Sequence, residues 1–382
     1  MKKALMYASV ASMIDLFNMD NISVLENKGY SVEVACNFEK GSITSDARVK
    51  QFKNELKLRG ITSYDIPIPR NIFKISDIIS SYRLTKKILN DSNFEIMHCH
   101  SPIGGVIARL AARKKRKKGL TTIYTAHGFH FYKGAPLLNW LIYFPIEFCC
   151  SFYTDTLITI NKEDFDRASK WMHPKKNVYV PGIGVDIDKY KNVQGKIDFS
   201  KNEIILTSVG QLSKRKNHEI VLDAISKIQN KNIRYLIVGE GELRQFLENK
   251  ASELDIDSQV EFLGYRSDID VILNSTDIYI FPSLQEGLPV ALMEAMAEGL
   301  PVIASNIRGD VDLISSDVNG LLFNPKNSEE LSIQIERMTE SDQLREKFAG
   351  NQKKIIKKFD IKMIEKKMNE VYTQGNKSMS NS

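Results

Sequence analysis

The sequence predicts an α/β protein made of two doubly wound domains of similar size. Residues 1–185 alternate short apolar strands with helical patterns, residues 203–358 repeat that alternation, and 186–202 between them is polar and aperiodic. The length of 382 residues exceeds one ordinary domain and suits two, and a 42% hydrophobic, 26% charged composition is that of a globular chain.

In the first half, apolar runs at 4–8, 31–35, 96–100, 121–126 and 156–160 predict strands. Helical patterns at 21–28, 49–59, 75–90, 103–113 and 136–152 separate them, so the strands form a parallel sheet covered on both faces. A further helix over 161–169 starts at Asn161, a good N-cap residue. The run Val180-Pro-Gly-Ile-Gly-Val185 is a turn-rich exit, which places a domain boundary there and makes 186–202 a linker. The second half predicts strands at 203–209, 235–238, 260–263, 278–281, 301–304 and 320–323, with helices between them. Late helices cover 344–358 and 361–374; residues 359–382 form a terminal helix and tail, with the last eight residues frayed. Two such domains are expected to meet at a cleft formed by the carboxyl ends of their strands, the default ligand site.

The composition narrows the function. A net charge of +6 is modest for a nucleic-acid-binding chain, so no nucleic-acid partner is expected. Cys36, Cys99, Cys149 and Cys150 have neither metal-ligand nor redox spacing and read as reduced core thiols of a cytosolic protein. The apolar run near the amino end is too short for a signal peptide, and no stretch reaches the roughly 18–20 apolar residues of a spanning helix. His98 and His100 flank Cys99 on a strand end, but no further ligand completes a metal set, and no metal or cofactor is expected.

The strongest local signal is Phe281-Pro-Ser-Leu-Gln-Glu-Gly-Leu-Pro-Val-Ala-Leu-Met-Glu294, a strand, a turn and an Ala/Met-rich helix. The helix start offers backbone N–H groups to phosphate, and the carboxylates of Glu286 and Glu294 accept hydrogen bonds from hydroxyls. Glu294 is expected about two turns into the helix. A capping acid plus a solvated acid is the plainer account of the same pattern. The segment from Gly210 to Asn217 carries Lys214, Arg215 and Lys216 behind a tight glycine turn, which suits a diphosphate; it also fits a solvated turn. Gly239 and Gly241 make half of a dinucleotide fingerprint without its third glycine or its acid, leaving a glycine turn that a nucleotide could approach. Gly264, Tyr265 and Arg266 follow a strand and could hold a base, while Ser267 or Asp268 there could simply cap a helix. His127 ends a strand of the first domain, and Gly104 and Gly105 open a helix where something approaches closely. The basic run Arg113-Lys-Lys-Arg-Lys-Lys118 precedes an aromatic stretch from Phe129 to Phe144, which fits a protein resting on an anionic membrane as well as a solvated loop before a buried helix.

Taken in chain order, these segments resemble the family-4 glycosyltransferases of GT-B architecture, and most of all their capsule and exopolysaccharide branch. The resemblance spans nearly the whole chain and is most specific at Glu286-Gly-Leu-Pro with Glu294, at His127 in Tyr-Thr-Ala-His-Gly-Phe, and over Thr125 to Asp164. It implies two Rossmann-like domains facing across a cleft with a C-terminal helix crossing back. It implies a retaining, metal-independent transferase that moves a hexose or N-acetylhexosamine from a UDP-sugar to a lipid-diphosphate-linked saccharide. Glu286, His127 and Lys216 would be the catalytic set. Gly210, Arg215, Lys216, Gly239, Tyr265, Arg266, Glu286, Gly287, Leu288, Pro289 and Glu294 would bind the donor, with Glu294 on the ribose. Ser9, Ser12, Lys114, Lys115, Arg116, Phe131 and Trp140 would serve the acceptor and a peripheral contact with the cytoplasmic face of the membrane. The chain departs from the family at Gln211, where many members have Arg, and at Ala8-Ser-Val-Ala-Ser12, where a Gly-Gly loop is common. A GT-B nucleotide-sugar epimerase and a non-catalytic nucleotide-sugar-binding subunit are the alternatives. An epimerase would act on the UDP-sugar alone.

Overall fold

The computed structural model describes residues 2–197, 203–230 and 232–377. The chain divides into two compact units: residues up to Ile183 together with those from Ile364 onward, and Gly184–Met363.

The first unit runs β1 (Lys2–Val10), α1 (Ala11–Phe17), α2 (Met19–Asn27), β2 (Tyr30–Asn37), α3 (Asp46–Leu58), β3 (Thr62–Asp65), α4 (Ile75–Asp91), β4 (Phe94–His100), α5 (Pro102–Arg116), β5 (Thr121–Ala126), α6 (Leu137–Ser151), β6 (Thr156–Thr159), α7 (Lys162–Trp171) and β7 (Lys176–Tyr179). Its sheet is parallel, in the order β3-β2-β1-β4-β5-β6-β7. Alternate residues of β1 feed opposite cores: Ala4, Met6 and Ala8 pack in one, Leu5 and Tyr7 in the other. That two-sided burial explains why the strand reads as a continuous apolar run. The two edge strands, β3 and β7, are not among those the sequence predicts. β3 and β7 are four residues long, partly exposed and polar, and carry little hydrophobic signal. Asn161 caps α7 as expected, its side chain accepting from Asp164 N at 2.8 Å.

The second unit runs β8 (Ile204–Val209), α8 (Glu219–Ile225), β9 (Ile233–Val238), α9 (Arg244–Glu253), β10 (Val260–Gly264), α10 (Ile269–Asn274), β11 (Ile278–Phe281), α11 (Val290–Glu298), β12 (Val302–Ser305), α12 (Asp310–Leu313), β13 (Leu321–Phe323), α13 (Ser328–Thr339) and α14 (Asp342–Ile355). Its parallel sheet has the order β10-β9-β8-β11-β12-β13. The last helix, α15 (Ile361–Lys377), places Ile364, Met368, Val371 and Tyr372 in the core of the first unit, a stripe at helical spacing. It runs three residues past the expected end at 374, and 378–382 of the expected frayed tail lies outside the described residues.

Each sheet reverses its winding once, between β1 and β4 in the first unit and between β8 and β11 in the second. At such a switch point the loops leave neighbouring strands in opposite directions and open a crevice at the carboxyl edge. Of the expected linker, 186–197 is described and 198–202 lies outside the described residues. It is not simply solvated: Tyr190 is buried, and Val185 exchanges backbone hydrogen bonds with Phe359 and Ile361 at 3.0 Å.

Candidate active site

The β8/β11 switch point brings together the loop after β8 and the loop after β11. Leu284 N donates to Arg215 O at 2.8 Å, which ties the two loops directly. Asn217, in a left-handed conformation that Asn tolerates, donates from Nδ2 to Pro282 O at 3.1 Å and Pro325 O at 3.0 Å. In this frame Glu286 Oε1 accepts from Lys216 Nζ at 2.9 Å and from Arg215 Nη1 at 2.8 Å. Lys216 and Glu286 are both largely buried, and the Lys216 ammonium also lies 4.8 Å from the centre of the Phe281 ring. The acid and the two cations singled out in the sequence therefore form one cluster. Gly210 keeps room for it, since a Cβ there would come within 3.3 Å of the Lys216 side chain.

Sequence reasoning missed the buttress behind this cluster. Arg308, nearly buried, donates from Nε and Nη2 to the Glu286 carbonyl at 3.2 Å. Gly309 takes φ 87°, and a Cβ on it would fall 2.3 Å from the Gly287 carbonyl oxygen. The loop after β12 thus props the Glu286-Gly287 turn from below. The next residue, Asp310, is fully buried, and among the described residues neither carboxylate oxygen has a hydrogen-bond partner. Burial raises its pKa well above the usual carboxylate range, and the Glu286 charge adds to that. An Arg-Gly-Asp run just after an apolar strand was the available signal.

Pro289 is the N-cap of α11, so the helix starts at Val290 and Glu294 lies about one turn in, not two. Leu288 is buried beside it. Burial raises the Glu294 pKa above its ordinary value. The Tyr190 phenol faces this carboxyl closely enough for its own pKa to be pushed well up, first by burial and then by Glu294.

Two features at this sheet edge have a local structural cause. Gly239 is required by the protein's own backbone: a Cβ there would sit 2.0 Å from Gly210 O, and one on Gly241 2.3 Å from Leu212 O. These glycines let two loops pack together at the carboxyl edge of the sheet. After β10, neither Ser267 nor Asp268 caps α10 with its side chain; Asp268 instead pairs with Arg266, with Nη2 to Oδ2 at 2.5 Å. Tyr265 stands 81% exposed next to that pair.

In the first unit, the β1/β4 switch point holds a cavity of about 310 Å³ lined by Ser9, Arg70, Ile72, Ile103, His127 and Tyr143 among others. Ser9 Oγ accepts from Gly104 N at 3.0 Å, and Gly105 lies under the Tyr124 ring, where a Cβ would come within 2.4 Å. What Gly104 and Gly105 admit is therefore the fold itself. His127 Nε2 is 3.1 Å from His100 Nδ1, and His98 bridges Tyr372 and Thr125 at 2.8 Å each. Burial lowers all three histidines, His127 to about 4 and His98 to about 3, so they are neutral at pH 7. Among the described residues no group of three or more His, Cys, Asp or Glu could hold a metal ion. Ser12 does not reach the cavity. It is buried, and its hydroxyl accepts from Ile43 N at 3.1 Å, fixing the loop after β2.

The expected acceptor and membrane set is also redrawn. Phe131 is fully buried between Phe129, Trp140 and Phe144, because the aromatic stretch folds back over the helix layer. Arg116 is committed to Asp155, with Nη2 to Oδ1 at 2.8 Å. Lys114 and Lys115 lie in the last turn of α5, not in a loop, where cations complement the helix dipole. With Lys86, Arg113 and Lys118 they line one groove between α4 and α5. Trp140 is half-buried, and the apolar residues that do face outward are Leu137 (81% exposed), Leu138 and Leu141 (74% exposed). Cys149 is exposed, whereas Cys36, Cys99 and Cys150 are buried; adjacent helical residues point about 100° apart, so only one of the 149–150 pair can face the core. No described helix is long and apolar enough to cross a membrane.

Two parallel-sheet units with a site at the switch point of each define a protein of the GT-B type. The family model described as Glycosyl transferases group 1 matches residues 190–355, and the one described as Glycosyl transferase 4-like matches residues 8–161. The putative glycosyltransferase EpsD of Bacillus subtilis (strain 168) is 32% identical, over 97% of this chain and 96% of that one. The UDP-Gal:alpha-D-GlcNAc-diphosphoundecaprenol alpha-1,3-galactosyltransferase of Escherichia coli is 28% identical, over 94% and 93%. The crystal structure of Anabaena HepE in complex with UDP-glucose superposes with a TM-score of 0.75 at 19% identity, covering 98% of this chain and all of that one. The chain belongs to the group 1 glycosyltransferase family, and it is a glycosyltransferase of GT-B fold.

Proposed function

We propose that this enzyme transfers a hexose or N-acetylhexosamine from a UDP-sugar to a lipid-diphosphate-linked saccharide in capsule or exopolysaccharide synthesis, with retention and without a metal. The observation that carries the reading is the Glu286 carboxylate held by Lys216 and Arg215 at the β8/β11 switch point. Lys216 and Arg215 are placed to meet a diphosphate, and they supply the charge that a metal would otherwise provide to the leaving group. Once they do so, Glu286 is released toward sugar hydroxyls, while the N–H groups of Gly287 and Leu288 reach sugar or phosphate. Glu294 takes the ribose hydroxyls, and the Tyr265–Arg266 segment lies beside the base. His127, neutral through burial, gives the reacting sugar a hydrogen-bonding partner. The donor class is supported by the UDP-glucose complex of HepE, and the acceptor class by the diphosphoundecaprenol substrate in the name of the Escherichia coli relative.

Work at the inner leaflet is supported by the exposed Leu137, Leu138 and Leu141 and by the cationic groove with Lys114 and Lys115, all on the α4–α6 layer. The test is a thermal-shift screen of UDP-, GDP- and dTDP-sugars in EDTA. The reading predicts stabilisation by UDP-sugars with EDTA present. Stabilisation that needs a divalent ion, or that favours GDP- or dTDP-sugars, overturns the donor assignment.

A further inference from the structure

His98 and His100 belong to no metal-binding group among the described residues, and their hydrogen bonds give them a different use. They stand two apart on β4, where side chains share a face, and β5 pairs alongside with Thr125 opposite His100. His127, two past Thr125, extends the same face beyond the end of β5. The three rings therefore run in a row from the core outward. His98 and His100 are buried, while His127 is half-buried and lines the cavity at the β1/β4 switch point.

Each ring holds the next. His98 is fixed at both nitrogens, Nδ1 by the Tyr372 hydroxyl and Nε2 by Thr125 Oγ1, at 2.8 Å each. Its ring centre lies 4.1 Å from that of His100, which leaves His100 little freedom to turn. His100 Nδ1 in turn lies 3.1 Å from His127 Nε2. That bond occupies one nitrogen of His127, so only Nδ1 is left to serve a ligand.

The direction of the His100–His127 bond follows from counting donors. Burial keeps both rings neutral, and a neutral imidazole has one N–H and one lone pair. His100 Nε2 is buried and has no hydrogen-bond partner among the described residues. Were His127 the donor, His100 would carry its proton on Nε2, as a buried N–H with nothing to meet. With His100 the donor, the orphan at Nε2 is a lone pair. Unpaired N–H groups are rarer inside proteins than under-used acceptors, so His100 Nδ1–H donates to His127 Nε2. The proton of His127 then sits on Nδ1, since the bond that one imidazole nitrogen makes sets the state of the other.

We propose that His100 is a positioning residue that fixes His127 as its Nδ1–H tautomer, so that His127 donates a hydrogen bond to a sugar oxygen and takes no proton from it. This rests on the reading above that His127 meets the reacting sugar, and it adds the residue behind His127 and the direction of the bond. The His-Cys-His run of β4 thereby acquires a role that metal binding does not supply.

The experiment has two arms on the full-length enzyme, wild type and the H127A, H100L and H100N variants, with melting temperature and UDP affinity as checks on folding. The first arm is long-range proton–nitrogen NMR with isotopically labelled histidine near neutral pH, the His127 signals being those that vanish in H127A. The expected result is an Nδ1–H pattern for His127 in wild type. H100L should move its two nitrogens toward the averaged positions of an untied imidazole, and H100N, which keeps an N–H donor, should restore the pattern. An Nε2–H pattern in wild type would overturn the tautomer assignment. The second arm titrates UDP, UDP-glucose, UDP-galactose and UDP-N-acetylglucosamine. For the UDP-sugar that the enzyme prefers, the ratio of its affinity to that of UDP should fall roughly fivefold in H127A and in H100L, the order of one hydrogen bond, and recover in H100N. A ratio that falls in H127A but not in H100L would overturn the positioning role of His100 and leave the sugar contact of His127 standing. A ratio unchanged in H127A for all three UDP-sugars would overturn the reading that His127 meets the sugar.

Discussion

Glu286 and Lys216 hold each other in the free enzyme, and that makes their substitutions act with opposite sign on UDP binding. In Lys216→Ala the diphosphate loses an ammonium that is largely buried and already positioned 2.9 Å from Glu286 Oε1. A hydrogen bond to a charged group contributes about 1.5–3 kcal/mol. At about 1.4 kcal/mol per factor of ten, UDP should bind roughly 10- to 150-fold more weakly. In Glu286→Gln both cations lose their carboxylate partner but stay in place. The amide is neutral, so Lys216 and Arg215 lose the opposite charge from which a diphosphate must draw them, and bare UDP should bind more tightly. Transfer, however, should be lost in both variants, because Glu286→Gln removes the acceptor that meets the donor sugar. Isothermal titration with UDP and a turnover assay on the same preparations separate these effects. If UDP binding weakens in Glu286→Gln as it does in Lys216→Ala, the two groups do not compete, and the proposed exchange of Lys216 from carboxylate to diphosphate is wrong.

Other outcomes follow from burial and charge. Asp310 has a raised pKa and no hydrogen-bond partner among the described residues, so its ionisation opposes folding: the native state holds its proton longer than the unfolded chain, and stability from this group falls as pH rises above about 4. Asp310→Asn should therefore raise the melting temperature at pH 7.5, and the gain should vanish near pH 4; an equal gain at both pH values would mean that folding does not raise the pKa of this carboxyl. His98, His100, His127 and His218 are all lowered by burial, so their contribution runs the other way, present above about pH 6.5 and lost as pH falls toward 4; scanning calorimetry should show a falling melting temperature over that window, and a flat profile would contradict their desolvation. Leu137→Asp with Leu141→Asp should reduce binding to anionic vesicles while leaving UDP affinity unchanged, and vesicle binding that survives the pair would move the contact elsewhere. A thiol reagent applied to the native enzyme should label Cys149 and spare the other three cysteines, as read by peptide mass spectrometry.

The sequence made the doubly wound pattern legible because buried parallel strands are unbroken apolar runs and the helices between them carry a 3.6-residue period. It hid β3 and β7, whose edge positions allow polar residues. At the site, Glu286, Arg215 and Lys216 were readable as candidates, because an acid and cations stand beside glycine turns at strand ends, although a capping acid and a solvated turn fit the same pattern. Arg308 and Asp310 were not, because their roles depend on the β12 loop reaching under the Glu286 turn, a contact between segments 22 residues apart. At Gly239 the sequence left the cause open, since a glycine required by a neighbouring backbone looks the same in one dimension as a glycine required by a ligand. Phe131 and Arg116 misled because an aromatic and basic stretch does not say which of its residues turn inward.

The most direct test of the central claim is turnover by the purified enzyme in EDTA, with one UDP-sugar and a prenyl-diphosphate-linked saccharide, following UDP release and the mass of the acceptor together. The account predicts that UDP appears only when acceptor is present and that the acceptor gains the mass of one sugar residue. Conversion of the UDP-sugar in the absence of acceptor, or UDP release with no gain in acceptor mass, would contradict it.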